Sequence, residues 1–139
     1  MHGFQKSATL YNLDRARHHR TVVICEGVTD VWKVGPNGVA VFGKTLSEIQ
    51  ATLLQLSWGR DGTAVVLLDS DARLRASDYL AMLTIFGNRW CDVHLPAGHD
   101  PGSLTTSELH ALIRRTAAER GLPDLDLARF PRYPRVPAA

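Results

Sequence analysis

Apolar positions along the chain fall into short blocks separated by turns. Thr21–Cys25 is a run of β-branched and apolar residues, and 39–42 and 65–68 are shorter runs of the same kind. Continuous apolar runs of this length predict strands buried on both faces. Residues 90–95 alternate in part and predict a fourth strand. Helical spacing fills the gaps between them. Val28, Val31 and Trp32 predict a short helix over Val28–Val34. Leu46, Ile49, Leu53 and Leu56 predict an amphipathic helix over 45–56, capped by Thr45 with Glu48 or by Ser47. Leu80, Leu83 and Phe86 mark the inward side of a helix over 72–86. Thr105 and Glu108 open a last helix, with Leu109, Leu112 and Ile113 inward and Gly121 as its stop. Ahead of the first strand, 10–17 predicts a short helix with Leu10, Leu13 and Arg17 on one side.

Strand followed by helix, four times over, implies an α/β fold: a mainly parallel four-stranded sheet with helices on both faces. Ligands of such sheets bind beyond the carboxyl ends of the strands. Glu26 ends the first strand, Gly43 and Lys44 follow the second, Asp69 and Asp71 end the third, and Asp100 follows the fourth. If strand geometry persists to its end, Asp69 and Asp71 point the same way, because side chains at i and i+2 share a face. Two carboxylates that close repel unless a cation or proton lies between them. An isolated pair reads equally well as a helix cap beside a solvated acid. The collection of acids on one rim favours the cation, and Mg²⁺ takes such oxygen ligands.

The 139 residues suit one domain, and 45% hydrophobic with 22% charged content is ordinary for a globular protein. The expected division is a basic segment with a short helix over 1–20, the α/β domain over 21–121, and a proline-rich arm or disordered tail over 122–139. No membrane-spanning run or signal peptide is evident, so a cytoplasmic location is expected. Cys25 and Cys91 are too few for a four-cysteine zinc site and read as small buried hydrophobes. A net charge of +2 neither requires nor excludes nucleic acid, although Arg15, Arg17, His18, His19 and Arg20 cluster before the first strand.

The order of these residues resembles the Toprim domain, the catalytic module of bacterial-type primases, topoisomerases and some small nucleases. Bacterial and phage primases resemble it most closely, through four segments. These are Leu10-Tyr11-Asn12-Leu13-Asp14-Arg15-Ala16, Glu26-Gly27-Val28-Thr29-Asp30, Asp69-Ser70-Asp71, and Leu95-Pro96-Ala97-Gly98-His99-Asp100-Pro101. The resemblance implies that Asp69, Asp71 and Asp100 bind Mg²⁺ or Mn²⁺, with Asp30 contributing, and that Glu26 is the general acid/base or a further metal-linked carboxylate. Gly27 lets the backbone approach a phosphate, and Lys44 is a candidate phosphate contact. Arg73 and Leu74 stand where primases carry a small Ala-Gly pair, which offers Arg73 or Arg75 as further phosphate contacts.

The resemblance therefore implies a primase-like nucleotidyltransferase, a Toprim core alone, acting on DNA or RNA with nucleoside triphosphates. A partner protein of a replication or repair complex would supply template grip. A small Toprim nuclease and a non-catalytic nucleic-acid-binding module are the alternatives.

Overall fold

The computed structural model describes residues 9–41, 45–122 and 124–131. Four strands, β1 (Thr21–Cys25), β2 (Gly38–Ala40), β3 (Thr63–Leu68) and β4 (Trp90–His94), form one sheet in the order β2-β1-β3-β4. Every pairing between these strands is parallel: Val23 lies opposite Gly38, Thr21 opposite Thr63, and Ala64 opposite Trp90. The sheet expected to be mainly parallel is wholly so.

Alternate residues of β1 and β3 feed two separate cores, which is why these strands read as unbroken apolar runs. On one face, α2 (Val28–Val34) and α5 (Thr106–Glu119) pack Val31, Val34, Leu109, Ile113 and Ala117 against Val23, Cys25, Val65, Cys91 and Val93. On the other, α3 (Glu48–Trp58) and α4 (Ala76–Phe86) pack Leu54, Trp58, Met82, Ile85 and Phe86 against Val22, Ile24, Ala64 and Val66. Both cysteines are free and buried, and burial pushes the Cys91 thiol up to about 11.

Several local expectations are corrected. The first helix, α1, is only Leu13–Ala16. Before it, Tyr11 forms an antiparallel bridge with Ala40, and Asn12, at φ 68°, donates its amide to the carbonyls of Pro36 and Gly38, each at 3.0 Å. Arg17 is exposed rather than sharing a side with Leu10. Trp32 is 61% exposed and donates to the Tyr11 hydroxyl, while Val34 takes the inward position. β2 stops at Ala40, short of the expected 39–42, and Phe42 lies outside the described residues.

The inward faces of α3 and α4 also differ from expectation. Ser47, not Thr45, caps α3: its hydroxyl accepts from the Gln50 N–H and the Gln50 side chain accepts from the Ser47 N–H. Gln50 is buried because its amide donates to the carbonyls of Thr9 and Val41, each at 2.9 Å. That bridge turns Gln50, Leu54 and Trp58 inward and leaves Ile49 and Leu56 outside. α4 starts at Ala76 rather than 72 and buries Asp78, Met82, Ile85 and Phe86, leaving Leu80 and Leu83 exposed. α5 follows its expected capping, with Thr105 and Glu108 exchanging hydrogen bonds and Gly121 at φ 75° after its end.

Residues 124–131 have no regular secondary structure, yet they are fastened to the amino-terminal end of the sheet. The Asp126 carboxylate accepts from the backbone N–H groups of Arg20 and Thr21, both at 2.9 Å. Leu125 is buried, and Arg114 donates to its carbonyl. Asn37 is fully buried and joins three segments: it donates to the carbonyls of Thr21 and Asp126 and accepts from the Ala128 N–H. Gly35 is required twice over, since its φ is 111° and an added Cβ would lie 2.5 Å from the Ala128 carbonyl oxygen.

Burial pushes the Asp126 carboxyl up, but its hydrogen bonds from Thr21 and Arg20 outweigh burial and hold it below the ordinary carboxylate value. With a depressed folded-state pKa, its stabilisation is complete above the unfolded value of about 3.9 and is lost as pH falls through the folded value. Asp126→Ala is expected to lower unfolding free energy at pH 7 by about 2 kcal/mol in urea titrations. The gap to the unmodified protein should narrow as pH drops below about 4.

Candidate metal centre

Because all strands run parallel, the chain leaves β1, β3 and β4 on the same rim, and each exit carries an acid. Glu26 follows β1 directly, Asp69 follows β3 directly, and Asp100 lies in the loop beyond β4. Two adjoining clefts open there. The smaller, of about 420 Å³, is lined by Glu26, Gly27, Thr29, Asp30, Asp69, Asp100, Pro101 and Gly102. Four carboxylates face it, with no basic residue in the lining. The larger, of about 450 Å³, shares Glu26, Asp30 and Asp69 with the first. It adds Asp71, Arg73, Arg75 and Asp78 over an apolar floor that includes Ile24, Val66, Leu68 and Met82.

Two of the acids are held by helix starts. Asp30 sits in the first turn of α2, where its Oδ2 accepts from the Gly27 N–H at 3.1 Å. Asp100 caps the short 3₁₀ turn Pro101–Ser103 by accepting from the Ser103 N–H at 2.9 Å. Glu26 and Asp69 make no side-chain hydrogen bond or ion pair with another described residue, and both are exposed, so their rotamers are free to change. Burial raises the Asp30 carboxyl; the Gly27 N–H opposes the rise, and the charges of Glu26, Asp69 and Asp100 add to it. Asp30 therefore feels the charges of the other three acids across the cleft.

The pairing of Asp69 with Asp71 differs from the expected geometry. β3 ends at Leu68, and the chain then turns, with the Ala72 N–H bonding the Asp69 carbonyl at 3.1 Å. The i, i+2 relation of a strand does not extend to these two residues. Asp69 borders both clefts, whereas Asp71 borders only the larger one, beside Arg73 and Arg75. Lys44 lies outside the described residues. His99 lines neither cleft and pairs with the Ser103 hydroxyl instead. Tyr11 is a packing residue against the α2/α5 core.

Some cleft residues carried no signal in the sequence. Asp78 is buried at the edge of the larger cleft, where its carboxylate accepts from the Leu46 N–H and ties the start of α4 to the approach of α3. An acid in a first helical turn is too common to mark a cleft. Gly102 sets the wall beside Asp100: a Cβ there would lie 3.2 Å from the Asp100 carboxylate.

The donor set is all oxygen, which suits a hard divalent cation. As placed, no three His, Cys, Asp or Glu side chains among the described residues form a group that could hold an ion. Mg²⁺ needs only one or two carboxylates besides water, and Glu26, Asp30, Asp69 and Asp100 all line the one cleft. The residues present fit such an ion.

No protein-family model matches the chain, and no curated protein matches it. A solved structure, the catalytic core of DnaG, is similar to 81% of the chain with a TM-score of 0.60 and 22% identity. The chain spans 40% of that structure. The likeness shows a shared fold and bears out, at that level, the resemblance to the Toprim module of primases. No helix among the described residues is long and apolar enough to cross a membrane.

Burial of Asp30, together with the charges around it, gives an expected outcome. Asp30→Asn keeps an acceptor for the Gly27 N–H while removing one charge. A raised acid pKa means that folded stability is lost as pH rises from the unfolded value of about 3.9. The substitution is therefore expected to raise the metal-free melting temperature, and to raise it more at pH 7 than at pH 4.

Proposed function

We propose that this chain is a Mg²⁺- or Mn²⁺-dependent phosphoryl-transfer module acting on nucleic acid, of primase type, working with a partner subunit. The observation that carries the proposal is the convergence of Glu26, Asp30, Asp69 and Asp100 on one cleft at the carboxyl rim of a primase-core fold. Divalent ions held there would neutralise charge on a transferring phosphate and orient the attacking oxygen.

The chain's own residues divide the remaining work. Asp30 and Asp100, fixed by backbone N–H groups, supply the rigid part of the ligand set. Asp69 and Asp71 supply the adjustable part from the turn after β3. Glu26 serves as general acid/base at the mouth shared by both clefts. Gly27 lets a phosphate approach the backbone. Arg73 and Arg75, beside Asp71 in the larger cleft, hold phosphates by charge, and Lys44 is assigned the same task.

Mn²⁺ present at about a hundred times its Kd is expected to add about 2.7 kcal/mol of stability, seen as a rise in melting temperature. Asp69→Asn should remove most of that rise. An unchanged rise in this variant would take Asp69 out of the ligand set.

The function is tested by incubating the protein with labelled single-stranded DNA, nucleoside triphosphates and Mn²⁺. Extended products are the expected outcome; shortened products would identify a nuclease, and bare retention a binding module. Glu26→Gln should reduce turnover by about a hundredfold or more while the protein still unfolds in one cooperative transition, at a melting temperature no lower than that of the unmodified protein. Full activity in that variant would remove Glu26 from the chemistry.

A further inference from the structure

The outer surface of α3 and α4 is built differently from that of α5 on the opposite face of the sheet. Each of the two helices has 11 residues and one charge: Glu48 in α3, and Asp78 in α4, which is buried. The outward positions hold Ile49 and Leu56 on α3 and Tyr79, Leu80 and Leu83 on α4, at 47% to 78% exposure. The residues interspersed among them, Thr52, Gln55, Ser77 and Thr84, are polar but uncharged. α5, on the opposite face of the sheet, shows the usual solvent design, with Arg114, Arg115 and Glu119 outside. A helix apolar on both sides is ordinarily covered on both sides.

We infer that the α3/α4 face is the contact surface of a homodimer, in which a second copy of this chain packs its own α3/α4 layer across a two-fold axis. Two features of the face favour that occupant. The first is charge. A two-fold contact sets a patch against itself, so any excess of one sign would meet its like. With Glu48 as the one exposed charge on the two helices, the penalty is nearly absent. The lack of lysine and arginine within the two helices disfavours a nucleic-acid backbone as the occupant.

The second feature is area. The five apolar side chains present on the order of 500 Å² on each copy. Two copies together thus bury about 1,000 Å² before the threonines and glutamines are counted, the lower bound for a specific interface and the size of a weak, reversible dimer. The Tyr79 ring is already fixed for such a contact, since it packs edge-on against Trp90 with ring centroids 5.3 Å apart. An aromatic side chain held in place loses little freedom on association.

The test is sedimentation equilibrium across a concentration series reaching hundreds of micromolar, run without metal so that the acid clefts play no part. The unmodified protein is expected to show a concentration-dependent monomer–dimer equilibrium. The paired substitution Leu56→Lys with Leu80→Lys, at exposed positions outside both clefts, should raise the dimer Kd by at least about tenfold with no change in melting temperature. If the lysine pair fails to fold, Leu56→Ser with Leu80→Ser is read in the same way. A protein that stays monomeric at every concentration, or a folded variant that dimerises as well as the original, would overturn the inference.

Discussion

Four carboxylates crowd one rim because every strand of the sheet runs the same way. The parallel arrangement delivers the exits of β1, β3 and β4 to a common edge, and each exit carries an acid. The cost shows in the Asp30 carboxyl, which burial raises and the charges of Glu26, Asp69 and Asp100 raise further. The fold sustains it by burying the strands on both faces and by anchoring two of the acids. Asp30 and Asp100 accept hydrogen bonds from backbone N–H groups at the starts of α2 and the 3₁₀ turn. Anchored and free acids thus face each other across a gap, an arrangement that a cation would stabilise.

The opposite end of the sheet is closed by a different kind of contact. Asp126 and the buried Asn37 fasten the 124–131 arm to the start of β1 and to the turn between α2 and β2. The arm thereby fixes where β1 begins and where α2 ends. Since Glu26 closes β1 and Asp30 lies in α2, both cleft acids depend on elements held from behind. Stability at one end of the sheet and chemistry at the other are linked through two short elements.

Much of this was legible from the residues. β1 and α2 begin and end where their apolar runs and flanking glycines imply, and the Thr105–Glu108 pair marks the start of α5. The acids were legible as a group because they sit at strand exits. The inward faces of α3 and α4 were not, because both sides of these helices are apolar and periodicity alone cannot choose between Leu56 and Leu54. A buried polar bridge decided α3: Gln50 reaches Thr9 and Val41 through contacts that no helical pattern records. The Asn37–Asp126 link joins residues 89 apart in sequence and likewise leaves no local signature. The geometry of Asp69 and Asp71 differs from expectation because the strand rule was carried past Leu68, where the strand ends, as far as Asp71.

The central claim is that the shared acid cleft binds a divalent cation, and isothermal titration of the metal-free protein with Mn²⁺ tests it most directly. Saturable binding is expected, weakening as pH falls through the carboxylate range and weakened at least about tenfold by Asp69→Asn. Absence of saturable binding at neutral pH, or an affinity untouched by that substitution, would contradict the account.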